Sequence, residues 1–367
     1  MKNFIFGTAV LISTIVGVGM FGLPYSGAQS GFLIAAVFLF ILAGLMTFLH
    51  LLYGEIVLRT KEKHRLVGYA GHYLGKWGRR VVSFSVIIGF YGSLLVYIVV
   101  GGDFLYTMFH SLINLPVIIF NLIFFIIGAI AVYSGIKLIV EIDLIMSVFL
   151  ILIVLLFLYF GFSQIDVNNF KGINFKAFFF PYGTILYSLA GMAAMPEIRE
   201  IFSSDRKSYK KAIVVGTLIP AVLYLIFMGV VIGLTGSNTS AEAIQGLSGL
   251  LGKKIIFLGA LFGFLATITS FFILGLSLKK TFSYDFKINK NLAWVLVCSV
   301  PLILFILGVR EFILIIVILG ALMGAIEGTA IVLISKKVQE TSNFWRYVMI
   351  IIFILGFIST LICLTKP

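Results

Sequence analysis

The stretch Ile15-Val16-Gly17-Val18-Gly19-Met20-Phe21-Gly22-Leu23-Pro24 lies inside an apolar run long enough to cross a membrane. Its ending returns later as Gly191-Met192-Ala193-Ala194-Met195-Pro196, so both copies read G-M-x-x-[L/M]-P. Glycine and proline interrupt helices, and in hydrocarbon an unpaired backbone amide costs about several kcal/mol. Two matched interruptions therefore mark backbone that is exposed for a use. In a membrane protein the usual use is to hold a solute near the midplane.

The rest of the chain supplies the membrane setting. Of its 367 residues, 61% are hydrophobic and 11% charged; soluble domains carry roughly 25% charged residues. The fold class expected is an all-α integral membrane protein. A spanning helix takes about 20 apolar residues. The runs predict about eleven spans, near 4–28, 32–58, 81–109, 115–134, 138–161, 177–199, 212–235, 254–278, 291–308, 312–335 and 344–364. The first run ends in a Pro-Tyr turn with no small-residue cleavage site, so a cleaved signal peptide is not expected.

A net charge of +13 raises the question of nucleic acid, and the positions of the charges answer it. With the N-terminus inside, the cytoplasmic segments hold every lysine and arginine except Lys171, Lys176, Lys253, Lys254, Arg310 and Lys366. That bias predicts a cell-membrane protein with a cytoplasmic N-terminus and an outside C-terminus. The basic excess then reads as topology and as contact with anionic membrane lipid. No basic patch lies away from the membrane surface, which argues against a nucleic-acid partner. Cys298 and Cys363 fall in spans 9 and 11 without zinc-type spacing, and His50, His64, His72 and His110 are dispersed. No cofactor is expected beyond a coupling ion.

Two units of five spans, 1–161 and 162–335, would be inverted copies because five is odd. The G-M-x-x-[L/M]-P echo falls at the same place in each. Residues 336–367 then form an extra C-terminal helix. The segment 64–80 predicts a short surface helix on the cytoplasmic side. The segment 236–252 predicts an outer lid helix, with Ser240 as N-cap of Ala241–Ile244.

A broken helix leaves free amides at the start of its second half and free carbonyls at the end of its first. The amides suit a carboxylate, the carbonyls an ammonium or Na⁺. Breaks near Val18–Met20 and Ser188–Gly191 could thus grip an α-amino acid from two sides. The alternative is that these glycines only let helices pack closely.

IVGVGMFGLPY (15–25), VGYAGHYLGKWGRR (67–80), SLLVYIVVGGDFL (93–105) and LYSLAGMAAMPEI (186–198) carry a family resemblance. Over roughly residues 5–335 the chain resembles the amino acid/auxin permease group. That group belongs to the amino acid–polyamine–organocation superfamily, with the LeuT-type fold. The resemblance implies that the amides of Val18 and Gly19 meet a substrate carboxylate. It implies that the carbonyls of Tyr187, Ser188 and Ala190 meet its ammonium group, with the Tyr187 ring as a gate. In span 3, Tyr97, with Leu94 one turn earlier, is the side-chain candidate, and Tyr91 is the alternative.

Span 8 carries Ala266-Thr267-Ile268-Thr269-Ser270. The Ala266 carbonyl and the Thr269 and Ser270 hydroxyls, facing the carbonyls of Ser13 and Val16, would make a five-oxygen Na⁺ site. The A-x-x-T-S spacing is similar to the sodium site of sodium-coupled LeuT-fold carriers. Against it stands the habit of intramembrane Thr and Ser of bonding their own i−4 carbonyls. Some proton-coupled superfamily members place a span-5 lysine there instead; here the only span-5 lysine is Lys137, at its end. Intramembrane carboxylates default to function, and Glu327 in span 10 is the proton-relay candidate. Asp103 and Glu197 match acidic positions of the family pattern. Glu55 is expected to pair with Arg59, and Glu141 with Lys137. His50 could titrate near neutrality or simply pack.

The pocket neighbours Leu94, Tyr97, Tyr187, Met192 and Leu274 are uncharged, which favours a neutral apolar or aromatic substrate. The function expected is ion-coupled transport of such an amino acid, with no obligate protein partner. The alternatives are a proton-coupled carrier and a non-transporting ligand sensor of the same fold, resembling germinant-receptor membrane subunits. Paired aspartates, a Ser-His pair or a metal triad at workable spacing do not occur, so no enzyme is expected.

Overall fold

A computed structural model describes residues 2–62, 64–135, 139–202, 205–339 and 343–365. Lys63, Lys137 and Lys366 lie outside them, and with Lys137 and the Glu141 side chain goes the expected pairing of those two residues. Helices occupy each of the eleven expected spans, and no strand occurs among the described residues. Span 1 is α1 (Lys2–Ile15) followed by α2 (Gly19–Ser30), and span 6 is α7 (Phe180–Ser188) followed by α8 (Met195–Phe202). The others are α3 (Phe32–Arg59), α4 (Leu66–Phe109), α5 (Val117–Ser134), α6 (Ile139–Gly161), α9 (Arg206–Thr235), α11 (Lys253–Lys280) and α12 (Lys290–Ile306). Span 10 is α13 (Phe312–Met323) and α14 (Thr329–Val338), and α15 (Asn343–Thr365) ends the chain; a one-turn α10 (Ser248–Leu251) precedes α11. Among the described residues, seven helices and the α1–α2 pair, bent by 55°, are long and apolar enough to cross a membrane.

Local chemistry sets the ends. Pro116, with φ −65°, leads into α5, and Gly135 closes it in the left-handed region at φ 62°, as proline and glycine do at opposite helix ends. Asp205 caps α9 by accepting the Ser208 amide at 3.0 Å, and Asn289 caps α12 by accepting the Asn291 amide at 2.8 Å; both satisfy otherwise orphaned donors.

Two packing groups result. In one, α1 and α3 lie on α9, while α2 and α3 lie on α7. In the other, α4 packs on α11, α5 and α12. Helix α13 touches both groups, and its crossing with α7 brings backbone against backbone. A Cβ on Gly183 would run into the Val317 carbonyl, and one on Gly320 into the Gly183 carbonyl. Buried Glu55 receives Arg59 at 3.1 Å, Lys210 at 2.5 Å and also Arg206. The expected Glu55–Arg59 pair is thus part of a wider tie between α3 and α9.

Two loop expectations change. The surface helix of 64–80 exists only as the first arm of α4, which turns at Gly75 with φ 75°. No helix starts at Ala241: the Ser240 hydroxyl accepts the Gly246 amide at 3.0 Å, and Ala243 takes φ 64°. Short 3₁₀ turns at Gly236–Asn238 and Gln245–Leu247, then α10, replace it. Left-handed backbone at Ala243 is incompatible with a continuing helix.

Candidate functional site

The first break spans Val16, Gly17 and Val18, between α1 and α2. The α-helical ladder ends with the Val16 amide on Ile12 (2.8 Å) and resumes with tight bonds from Met20 to Gly17 (3.3 Å) and Phe21 to Val18 (3.1 Å). The amides of Gly17, Val18 and Gly19 therefore have no backbone acceptor among the described residues. The break sits two residues earlier than expected, and Met20 is inside α2, fully buried. Gly19 begins α2 rather than ending α1, and Pro24 lies inside α2 rather than at the break.

The second break runs from Leu189 to Gly191, followed by a 3₁₀ turn at Met192–Ala194. The Ala190 amide reaches back to Tyr187 at 3.2 Å, and the Ala194 amide to Gly191 at 3.1 Å. The Ala190 carbonyl has no donor among the described residues.

The two breaks touch. A Cβ on Gly19 would lie 2.6 Å from Ser188 Oγ and 2.9 Å from its Cα, and one on Gly191 would lie 2.7 Å from Ile15 Cγ1. Only glycine lets the two backbones meet at this distance. Beside them opens a cavity of about 140 Å³. Its walls include Val18, Gly19, Tyr97, Tyr187, Ser188, Ala190, Met192, Leu274 and Glu327. Leu94, Met20 and Gly191 do not line it; two turns of α4 show the cavity Phe90, Ser93 and Tyr97 instead. Tyr91 turns away and donates to the Leu296 carbonyl at 3.2 Å, so Tyr97 is the tyrosine at the cavity. The buried Tyr187 hydroxyl makes no hydrogen bond of good geometry, although Ser93 and Tyr97 are beside it.

Beyond the first break, outside the cavity lining, aromatic rings pack together around α2. Phe21 lies 4.8 Å from Phe104, 6.1 Å from Phe227 and 6.2 Å from Phe262, centroid to centroid. The cavity itself reaches Arg65, Pro196 and Thr281. Arg65 there donates to the Ala193 carbonyl at 3.1 Å and to Glu197 at 2.9 Å.

Of the five oxygens expected for sodium, that of Ser270 lies beside the first break. Ser270 Oγ lies 3.3 Å from where a Gly17 Cβ would be. The Thr269 hydroxyl, however, points to its own helix, at 2.9 Å from Leu265 O and 3.1 Å from Ala266 O. Ser13 Oγ likewise donates to the Val10 carbonyl at 3.1 Å, and the Ser13 and Val16 carbonyls have no backbone donor among the described residues. Glu327 sits in a π turn, Gly324–Gly328, between α13 and α14. Its carboxylate accepts from Ser85 at 3.0 Å. Such turns distort a helix at functional positions.

The chain matches the tryptophan/tyrosine permease family over residues 1–365. It belongs to that family. The permease is 23% identical over 316 residues to glutamine transporter 2 of Aliivibrio fischeri, covering 82% of this chain and 81% of the relative. It is 26% identical over 294 residues to tyrosine-specific transport system 1 of Haemophilus influenzae, covering 76% and 72%. Among solved structures, the transporter Mhp1 in a closed conformation superposes with a TM-score of 0.70 at 12% identity, over 98% of this chain and 90% of that one. MhsT in complex with L-phenylalanine gives 0.66 at 16% identity, over 99% and 97%. These likenesses establish the LeuT-type fold, and the family makes the chain an integral membrane amino-acid transporter rather than an enzyme.

Tyr224 was missed in the sequence. The permease places its hydroxyl, on α9, 2.9 Å from the Ile15 carbonyl and 3.1 Å from that of Ser188. It therefore bridges the last carbonyls of both first half-helices. One signal was available: a tyrosine in the middle of span 7, four residues after Pro220, is a polar group that must find a partner.

Proposed function

We propose that the permease is an ion-coupled secondary carrier for neutral amino acids with aromatic or large apolar side chains, held between the two breaks. The observation that carries this reading is the contact of Gly19 with Ser188, which puts the unpaired amides of Gly17–Gly19 and the Ala190 carbonyl on one cavity. Opposite partial charges a few ångströms apart match the carboxylate and ammonium of one α-amino acid. The cavity walls supply apolar surface from Val86, Phe90, Leu274 and Met323. Ser93, Tyr97 and Tyr187 bring their hydroxyls together on that wall, polar groups for a phenol or an indole N–H to meet. The names of the tyrosine-specific relative and of the phenylalanine complex support an aromatic substrate; the glutamine transporter extends the comparison to polar neutral ones.

The amino acid/auxin grouping within the amino acid–polyamine–organocation superfamily is the wider affiliation we assign. In that frame 1–161 and 162–335 are inverted repeats and 336–367 an addition. The N-terminus is cytoplasmic and the C-terminus outside, in the cell membrane and in contact with anionic lipid. The cavity then faces the cytoplasm past Arg65. Sodium would use Ser13, Val16, Ala266, Thr269 and Ser270. A proton would use Glu327, a reading favoured by the presence of its carboxylate on the cavity wall.

Competition against labelled tyrosine uptake in proteoliposomes tests this. Tryptophan, tyrosine and phenylalanine should compete, while lysine and glutamate should not. Imposing Na⁺ and pH gradients separately identifies the ion. Failure of every amino acid to enter under any gradient would contradict the proposal.

A further inference from the structure

His50 is completely buried in the middle of α3 and is absorbed by none of the roles above. Its ring joins two elements. Nδ1 lies 3.0 Å from the Thr217 hydroxyl on α9, and Nε2 lies 3.3 Å from the Gly191 amide in the second break. The Thr217 hydroxyl donates its one proton to the Ile213 carbonyl at 2.8 Å, so towards His50 it accepts. The network therefore assigns the proton of a neutral ring to Nδ1 and leaves Nε2 as a bare acceptor. An imidazole in that form is matched to a backbone N–H and to nothing else at this position.

The Gly191 amide needs such an acceptor. It stands where the chain between α7 and α8 is unwound, and its helical acceptor is lost. On its other side Ile15 and Leu11 of α1 press so closely that a Cβ would meet them at 2.7 and 2.9 Å. One residue earlier is the Ala190 carbonyl on the cavity. Holding Gly191 from α3 thus fixes the peptide plane that aims Ala190, without His50 touching the cavity itself.

We propose that His50 is a positioning residue for transport: in its Nδ1-protonated form it accepts the Gly191 amide and so sets the shape of the second break. This rests on the reading that substrate binds between the breaks. Two substitutions separate the contacts. His50→Gln carries an oxygen near the Nε2 position and retains an acceptor for Gly191. His50→Asn reaches only the Nδ1 position, keeping Thr217 and abandoning Gly191.

The experiment is tyrosine uptake into proteoliposomes by the wild-type protein and both variants, resolved into KM and Vmax. His50→Asn should raise KM about tenfold, the effect of one hydrogen bond, with Vmax within about twofold. His50→Gln should restore KM to within about twofold of wild type. Equal KM for all three proteins, or a Gln variant as impaired as Asn, overturns the proposal. Absence of uptake by the wild-type protein would instead remove the site reading on which it rests. Should neither variant fold, ¹⁵N-histidine NMR of the wild-type permease decides, with His64, His72 and His110 removed in turn for assignment. A bare Nε2 and protonated Nδ1 at His50 are expected, and the opposite tautomer overturns the assignment.

Discussion

Gly19 has little freedom to change. Any side chain there enters the space of Ser188 Oγ, 2.6 Å away, and forces the two breaks apart. Gly19→Leu should abolish detectable amino-acid binding in a scintillation proximity assay while the purified protein still elutes as a single species. Retained binding would mean the breaks are not the site. Glu327 is the second decisive residue, since a carboxylate held by one hydroxyl inside an apolar wall is costly unless used. With proton coupling, Glu327→Gln should keep exchange of internal for external substrate and lose accumulation driven by a pH gradient. With sodium coupling, Thr269→Val should instead lower the dependence of uptake on Na⁺. Measuring both variants under both gradients assigns the ion.

At the scale of elements, the tie made by Tyr224 deserves a direct probe. Its hydroxyl serves carbonyls at the ends of α1 and α7, and removing it leaves two buried acceptors short of a donor. Tyr224→Phe should destabilise the protein by about 1–3 kcal/mol, seen as a lowered thermal transition, and weaken binding as well. An unchanged transition would show that the carbonyls find other donors. The crossing of α7 and α13 makes a similar claim about packing. Gly320→Leu sets a side chain against the Gly183 carbonyl, an overpacking that costs about 1–3 kcal/mol or more, and should reduce the yield of folded protein.

The break pair and the helical spans were legible because glycine, proline and long apolar runs act through the local backbone. What was not legible was rotation and distance. Leu94 and Phe90 are equally apolar, and only the packing of α4 on α11 and α13 turns Phe90 to the cavity and Leu94 into the core. His50 and Tyr224 look in sequence like ordinary buried polar residues, because their partners lie 141 and 209 residues away. The expected helix at Ala241 failed for the opposite reason: a good capping residue, Ser240, was used by a turn rather than a helix.

For the whole molecule, the rings of Phe21, Phe104, Phe227 and Phe262 pack together outside the cavity lining, and Arg65 stands on its wall. We assign the first to the closed side and the second to the open one. A cavity of about 140 Å³ is below the usual range of roughly 300–1,000 Å³ for ligand clefts. We therefore expect the walls to move when substrate binds, as alternating access requires. In a background lacking Cys298 and Cys363, a cysteine at Ser277 or Thr281 should react with an impermeant thiol reagent added to the Arg65 side, and substrate should slow the reaction. A cysteine at Phe104 should stay unreactive until the molecule opens the other way. Labelling of Phe104→Cys alone would reverse the assignment of open and closed sides.

The central claim is that one amino acid bridges the two breaks. The most direct test is a cryo-electron microscopy structure of the permease in lipid nanodiscs with saturating L-tyrosine. The account predicts ligand density beside Gly19 and Ser188, its carboxylate on the amides of Gly17–Gly19 and its ammonium on the Ala190 carbonyl. Density for tyrosine anywhere else, with both breaks unoccupied, would contradict it.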